Sequence, residues 1–180
     1  VLLISYIEWG PQCVERLNGI YAFGIWDDKS QSLFMARDRF GVKPLFYAQV
    51  GDSFIFGSEI KVLLESGLIS PQIDSEGLSE IFSLGPARSP GNGVFKEINE
   101  LKPAHCLLHN DNGTFVRKYW SLTSNEHNDS IEQTIDTLRN LVFDAVTRQL
   151  VADVPVCVFL SGGLDSSTIT AIAAKSFASS

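Results

Sequence analysis

The stretch Val154–Ser167, VPVCVFLSGGLDSS, decides how the rest of the sequence is interpreted. Residues 154–160 are almost all apolar, which predicts a strand buried on both faces of a sheet. The next seven residues predict a sharp turn, and the alanine-rich residues 168–178 predict a helix. A strand, a glycine turn and a helix in this order direct free backbone N–H groups at an anion. The sequence therefore predicts a phosphate-binding loop.

The residue types in the turn narrow the choice of ligand. Gly162 and Gly163 allow the backbone to approach a phosphate closely, and the three serines of the turn offer hydroxyl donors. The carboxylate of Asp165 would repel a bare phosphate. Its presence therefore indicates a Mg²⁺ ion that lies between the two groups and takes oxygen ligands from the carboxylate and from the phosphate. No lysine follows the glycines and no GxSxG motif is present, which excludes a GxxxxGK[ST] phosphate loop and a nucleophile elbow.

Composition and charge exclude several classes of function. The chain has 180 residues, of which 44% are hydrophobic and 19% charged, as in globular proteins. A net charge of −7 argues against a nucleic-acid partner, and no apolar run reaches membrane-spanning length. Cys13, Cys106 and Cys157 are odd in number and widely spaced, which favours reduced thiols in the cytoplasm. Cys157, within the predicted strand, is expected to be buried.

The first 120 residues have the pattern of an antiparallel meander. Short aromatic-rich strands separated by turns are predicted over Ile20–Trp26, Leu33–Arg37, Pro44–Gln49 and Phe54–Phe56. Asn110–Gly113 predicts a hairpin turn between two further strands. Asp74 or Ser75 is predicted to cap a helix that ends at Leu84, and Ser130 with Gln133 predicts a capping box for a long helix. The polar residues 121–129 are interpreted as a linker.

Several motifs occur in the order typical of one family. LNGIYAF (17–23) resembles the LDGMFAF segment of class II glutamine amidotransferases, and ARDRFGVKPLFY (36–47) resembles their ARDxxGxxPLYY segment. FGSEIK (56–61), KPAH (102–105) and YW (119–120) resemble their FASExK, PPGH and YW motifs. SGGLDSS resembles the SGGxDS pyrophosphate loop of enzymes that cleave ATP between its α and β phosphates. In this order the motifs resemble the glutamine-hydrolysing asparagine synthetases over nearly the whole chain.

The resemblance implies an α+β fold in two parts. Residues 1–120 are expected to form part of a glutamine amidotransferase type 2 domain, a partial α/β/β/α sandwich of antiparallel sheets like that of the N-terminal nucleophile hydrolases. Residues 121–129 are the expected linker. Residues 130–180 are expected to begin the ATP-pyrophosphatase domain with the first strand and helix of a doubly wound α/β fold.

The resemblance also implies a carbon–nitrogen ligase. In the family, ammonia from glutamine passes to a second site, where ATP activates aspartate as β-aspartyl-AMP. The products are asparagine, glutamate, AMP and pyrophosphate. The implied ligands are small molecules, namely glutamine, aspartate, ATP and Mg²⁺, with no nucleic acid and no membrane; whether the protein forms a homodimer is left open.

The nucleophile of this family is a cysteine at the mature N-terminus that uses its own α-amino group as base. Cys13 follows Gly-Pro-Gln within the chain and does not match it. We expect the nucleophile to lie before Val1 and the remaining strands of the second domain to lie beyond Ser180. The 180 residues alone are therefore expected to contain no catalytic residue and to be inactive.

The resemblance assigns binding residues at two places. Asn18 occupies the position at which the family often has an aspartate that binds the α-ammonium of glutamine; its side chain offers a carbonyl acceptor but no charge. Arg37 and Asp38 are expected to form a structural network rather than a catalytic pair. Asp165 is the expected metal ligand. The residues expected to bind ATP and pyrophosphate are Phe159, Leu160, Ser161, Gly162, Gly163, Leu164, Asp165, Ser166 and Ser167.

Two alternatives stay open from the sequence. A related amidotransferase could act on another carboxylate, as in β-lactam synthetase-like or cell-surface-modifying enzymes, since the acceptor pocket is expected beyond Ser180. The chain could also be an inactive ligand-binding domain.

Overall fold

The computed structural model describes residues 1–178. The chain divides into two compact units, Val1–Thr123 and Ser124–Ser180. Among the described residues, every strand belongs to the first unit, and the second unit contains two helices.

The first unit contains two antiparallel sheets. Their strands are β1 (Ala22–Asp27), β2 (Ser32–Arg37), β3 (Phe46–Val50), β4 (Ser53–Gly57), β5 (Asn99–Glu100), β6 (His105–Asn110) and β7 (Gly113–Lys118). One sheet has the order β1-β2-β6-β7 and the other the order β4-β3-β5. The antiparallel pairs β1–β2 and β3–β4 and the hairpin at Asn110–Gly113 are confirmed, with strand ends shifted by one or two residues. The predicted continuous meander is wrong, because β2 pairs with β6 rather than with β3, so the two pairs belong to different sheets.

Within residues 1–178, a short 3-10 helix (Gly10–Gln12) and four α-helices belong to the first unit, and two α-helices belong to the second. The α-helices are α1 (Leu2–Trp9), α2 (Cys13–Arg16), α3 (Ile60–Glu65), α4 (Ser75–Leu84), α5 (Ile131–Gln149) and α6 (Leu164–Ala178). Asp74 caps α4 by accepting a hydrogen bond from the backbone of Gly77, and Ser130 with Gln133 forms the predicted capping box of α5.

The two sheets pack face to face because their side chains alternate between faces. Met35 of β2 packs with Leu45 and Leu101 between the sheets, whereas its neighbour Phe34 packs against Val14 of α2. Phe34 and Met35 are fully buried, and each contributes roughly 1.5–3 kcal/mol to stability through burial.

The second sheet is covered on its outer face by α3. Phe46 and Ala48 of β3 pack with Leu63 of that helix, whereas Tyr47, between them, faces the first sheet. The layers are therefore helix, sheet, sheet and helix, which confirms the predicted α/β/β/α sandwich.

The predicted strand over 154–160 is not formed. These residues have no regular secondary structure, and Phe159 is 97% exposed. Cys157 is exposed as well, so its predicted burial is wrong. A strand buried on both faces needs hydrogen-bonded neighbours, and no other strand lies within the described part of the second unit. An apolar run alone does not supply these neighbours.

None of the helices in residues 1–178 combines the length and the apolar character that a bilayer crossing requires.

Candidate functional site

The loop before α6 lies where the sequence predicts it, but the helix begins earlier than predicted. Helix α6 starts at Leu164, and the backbone N–H of Ser167 donates to the carbonyl oxygen of Gly163 at 3.1 Å. Asp165 and Ser166 therefore lie in the first helical turn. The backbone N–H groups of this turn have no carbonyl partner within the helix, so they are available to an anion.

Ser166 closes the loop on itself. Its hydroxyl donates to the carbonyl oxygen of Gly163 at 3.2 Å and accepts the backbone N–H of Ser161 at 3.3 Å. The hydroxyl of Ser161 lies 2.9 Å from that of Ser166. The structure thus brings Ser161, Gly163 and Ser166 together through local hydrogen bonds.

The glycines leave the approach to the loop open. Gly162 has φ +84°, a left-handed conformation that side-chain-bearing residues rarely adopt, and no atom lies within 4 Å of the position that a Cβ would occupy. At Gly163 the nearest atom to such a Cβ would be the Ser161 hydroxyl at 3.7 Å. Gly162 is therefore required by its backbone conformation rather than by lack of space.

Asp165 is exposed in the first turn of α6. Among residues 1–178, no group of three or more His, Cys, Asp or Glu side chains could hold a metal ion. A Mg²⁺ ion typically keeps one or two protein carboxylates and takes its other ligands from water and phosphates. The donor set of the loop, one carboxylate beside backbone N–H and hydroxyl donors, fits a magnesium–pyrophosphate group in this respect.

Phe159 and Leu160 precede the loop, and both are exposed. Asn18 belongs to the first unit, in the exposed connection between α2 and β1. Its amide makes no hydrogen bond among the described residues, so its carbonyl oxygen is available as an acceptor.

Arg37 is the centre of a buried hydrogen-bond network in the first unit. Its guanidinium pairs with Glu100 at 3.0 Å, and both side chains are only 7% exposed. It also donates to three carbonyl oxygens, those of Lys43 at 2.7 Å, Leu101 at 2.7 Å and Gly41 at 2.9 Å. This arrangement confirms the expected structural role of Arg37.

Asp38 is hydrogen-bonded to the backbone as well. Its carboxylate accepts backbone N–H bonds from Phe40 at 3.1 Å, Val42 at 3.0 Å and Lys43 at 3.0 Å. Burial alone would raise the pKa of Asp38, but these donors outweigh it and hold the pKa below its ordinary value. The carboxylate is therefore ionised at neutral pH, and its hydrogen bonds give it the expected structural role of holding the backbone of residues 40–43.

Cys13 is fully buried against the first sheet. Burial raises the pKa of its thiol, which makes a thiolate less accessible. The structural interpretation of Cys13 is confirmed.

A pair of tyrosines was missed by the sequence reasoning. Tyr21, which directly precedes β1, and Tyr119, which follows β7, place their hydroxyl oxygens 2.9 Å apart. The hydroxyl of Tyr119 also donates to the carbonyl oxygen of Arg37 at 2.7 Å. The two residues are 98 positions apart, and the only available signal was that both lie in motifs of the family.

Comparison with known proteins matches both parts of the chain. Residues 1–120 match the family model described as glutamine amidotransferase domain, and residues 137–180 match that of asparagine synthase. Asparagine synthetase (glutamine-hydrolyzing) 3 of Bacillus subtilis strain 168 is 58% identical over 177 residues, which cover 98% of this chain and 29% of that protein. A putative asparagine synthetase (glutamine-hydrolyzing) 2 of Methanocaldococcus jannaschii is 36% identical over 176 residues, covering 96% of this chain and 34% of that protein.

Among solved structures, the glutamine phosphoribosylpyrophosphate amidotransferase of B. subtilis covers 94% of this chain and 34% of its own, at 17% identity and a TM-score of 0.39. At this TM-score the two structures are only weakly similar. The chain spans about a third or less of the length of the two curated relatives.

Proposed function

The chain belongs to the glutamine amidotransferase domain family through residues 1–120, and from that premise we propose that it forms part of a glutamine-hydrolysing asparagine synthetase. The proposed reaction transfers ammonia from glutamine to the β-carboxylate of aspartate, which ATP first activates as β-aspartyl-AMP. Asparagine, glutamate, AMP and pyrophosphate are the products.

The observation that carries this proposal is the open loop at Ser161–Ser167, in the same chain as an amidotransferase domain. Hydrolysis of glutamine to glutamate and ammonia, the chemistry of an amidotransferase domain by itself, needs no phosphate site. A loop that presents unpaired N–H groups beside a carboxylate is suited to ATP, whose cleavage makes a carboxylate reactive toward ammonia. The 58% identity to a named asparagine synthetase supports aspartate as that carboxylate.

In the glutamine half, Asn18 is proposed to bind the substrate's α-ammonium group through its side-chain carbonyl oxygen. A neutral acceptor makes a weaker bond to an ammonium group than a carboxylate does. We therefore expect other groups to contribute part of the binding free energy at this site.

In the ligase half, backbone N–H groups at the start of α6 and the hydroxyls of Ser161, Ser166 and Ser167 are proposed to hold the pyrophosphate part of ATP. Asp165 would hold Mg²⁺ together with the phosphates, and the ion would supply charge neutralisation there. Phe159 and Leu160 are proposed to contact the adenosine through their backbone.

The test is product analysis with the full-length protein that carries this sequence. With glutamine, ATP and Mg²⁺, we expect pyrophosphate release to require aspartate and to match the asparagine formed. Pyrophosphate release without stimulation by aspartate would contradict the proposed acceptor and favour another carboxylate. No turnover of glutamine or ATP would contradict the enzyme assignment and favour a ligand-binding domain.

Three unpaired cysteines support a reducing compartment, and we propose the cytoplasm. Formation of a homodimer stays a prediction.

A further inference from the structure

The two tyrosines form a directional hydrogen-bond chain between three segments of the first unit. Each phenol has one proton, and that of Tyr119 is donated to the carbonyl oxygen of Arg37 at 2.7 Å. The hydroxyl of Tyr21 must therefore be the donor in the 2.9 Å contact with Tyr119. The chain links the entry to β1, the exit from β7 and the end of β2.

Backbone hydrogen bonds join the same segments. The N–H of Asp38 donates to the carbonyl oxygen of Tyr21 at 2.9 Å, and the N–H of Tyr119 donates to that of Ala104 at 2.9 Å. The N–H of Ala104 in turn donates to the carbonyl oxygen of Asp38 at 2.9 Å. Tyr21 is thus anchored through both its backbone and its side chain.

Tyr21 is the first anchored residue after Asn18. On the other side of Asn18, Cys13 and Val14 of α2 are fully buried. The exposed connection between α2 and β1 is therefore held at both ends, and its path depends on where Tyr21 is fixed. Burial raises the pKa of both Tyr119 and Tyr21, so both phenols keep their protons at neutral pH.

We infer that Tyr119 is a positioning residue for glutamine: acting through Tyr21, it holds the segment that carries Asn18 in the conformation that binds substrate. This inference rests on the proposed function, because it requires that Asn18 contacts glutamine. In this role Tyr119 acts only through Tyr21 and contacts no reacting atom.

The test compares two sources of ammonia in the full-length protein. Tyr119→Phe removes one hydroxyl, and hydrogen bonds of this kind correspond to about threefold to tenfold in affinity. We expect KM for glutamine to rise by about that factor. We expect the rate with saturating added ammonia and aspartate to stay as in the wild type, because added ammonia bypasses glutamine.

Tyr47→Phe is the matched control. Tyr47 is a partly buried tyrosine of the same sandwich that stacks on Phe54 at 5.7 Å, and its hydroxyl makes no hydrogen bond among the described residues. This variant should leave both activities unchanged. Tyr21→Phe keeps the bond from Tyr119 to Arg37 and should raise KM for glutamine as well, and it decides the question if Tyr119→Phe does not fold.

The outcomes separate the inference from the proposed function. An unchanged KM for glutamine in the tyrosine variants, or an equal loss of the glutamine- and ammonia-dependent rates, would overturn the positioning role alone. A wild-type protein that uses added ammonia but never glutamine would overturn the glutamine half of the proposed function and this inference with it. Because the wild-type protein alone gives that result, it is distinguished from a failure of the positioning role, which only the variants can show.

Discussion

Two polar groups of residues in this molecule differ in how fully their hydrogen bonds are satisfied. Around Arg37 and Asp38, the guanidinium donates to three carbonyl oxygens and pairs with Glu100, and the carboxylate accepts three backbone N–H bonds. At Ser161–Ser167, the first N–H groups of α6 have no helical partner, and the carboxylate of Asp165 is exposed.

The difference between the two groups shows that charged residues in a family motif do not by themselves form a binding or catalytic site. Arg37 and Asp38 are the type of pair that catalysis uses, but here their charged groups are held by the chain's own backbone and by Glu100. The loop before α6 contains one charged side chain, that of Asp165, and the first backbone N–H groups of the helix are unpaired hydrogen-bond donors. Free hydrogen-bonding capacity, rather than charge, is what separates a candidate binding site from a structural network.

Removing Arg37 should give the largest effect on stability. Arg37→Ala removes the ion pair at 3.0 Å and leaves the buried Glu100 carboxylate with two longer contacts, to Arg88 at 3.6 Å and to the backbone N–H of Gly91 at 3.4 Å. We therefore expect a loss of about 3–5 kcal/mol in the free energy of unfolding. All three tryptophans, Trp9, Trp26 and Trp120, lie in the first unit, so their fluorescence during urea unfolding reports on it.

Lys61→Ala is the control for Arg37→Ala. Lys61 pairs with Glu59 at the surface, where the two side chains are 74% and 59% exposed, and its loss should cost less than about 1 kcal/mol. Equal effects of the two substitutions would mean that the Arg37 network contributes no more to stability than a surface ion pair.

Removing the carboxylate of Asp165 should lower the rate of the reaction strongly and the stability of the fold only slightly. If Asp165 holds Mg²⁺ beside the phosphates, Asp165→Asn should reduce aspartate-dependent pyrophosphate release in the full-length protein by about 100-fold. The thermal unfolding midpoint should hardly move, because the side chain is exposed. Asp153→Asn, at another exposed aspartate of the same unit, should leave the rate unchanged, and a rate within threefold of wild type in Asp165→Asn would remove Asp165 as a metal ligand.

The sequence predicted those parts of the fold that depend on local pattern. Aromatic alternation and turn residues were enough for the antiparallel pairs β1–β2 and β3–β4, and Ser130 with Gln133 was enough for the start of α5. They did not show that the two pairs belong to different sheets. The prediction of the sandwich rested on the family resemblance. The strand over 154–160 was mispredicted because a strand depends on neighbours, which no local pattern specifies.

The candidate site was predictable only in its short-range part. Gly162, Gly163 and Asp165 lie within one turn of each other in sequence, so their loop could be located. The bond between Tyr21 and Tyr119 depends on how the sheet brings the entry to β1 and the exit from β7 together. Periodicity carries no information about such a contact.

Two glycines, one in each of these groups of residues, adopt left-handed conformations in different surroundings. Gly41, beside Arg37, has φ +66°, and a Cβ there would lie 2.6 Å from the ring of Pro103. Gly162 has φ +84° with nothing within 4 Å of the corresponding position. Gly41→Ala therefore combines backbone strain with a steric clash, whereas Gly162→Ala introduces backbone strain alone.

We expect Gly162→Ala to raise KM for ATP about threefold to tenfold, because an unfavourable backbone conformation of about 1 kcal/mol reduces the population of the loop that can bind. Tryptophan fluorescence should show the first unit unfolding as in the wild type. Gly41→Ala should do the reverse, lowering the urea midpoint of the first unit while leaving KM for ATP unchanged. If Gly162→Ala binds ATP as the wild type does, the left-handed turn is not needed for the phosphates, and the loop would have to hold its ligand through side chains instead.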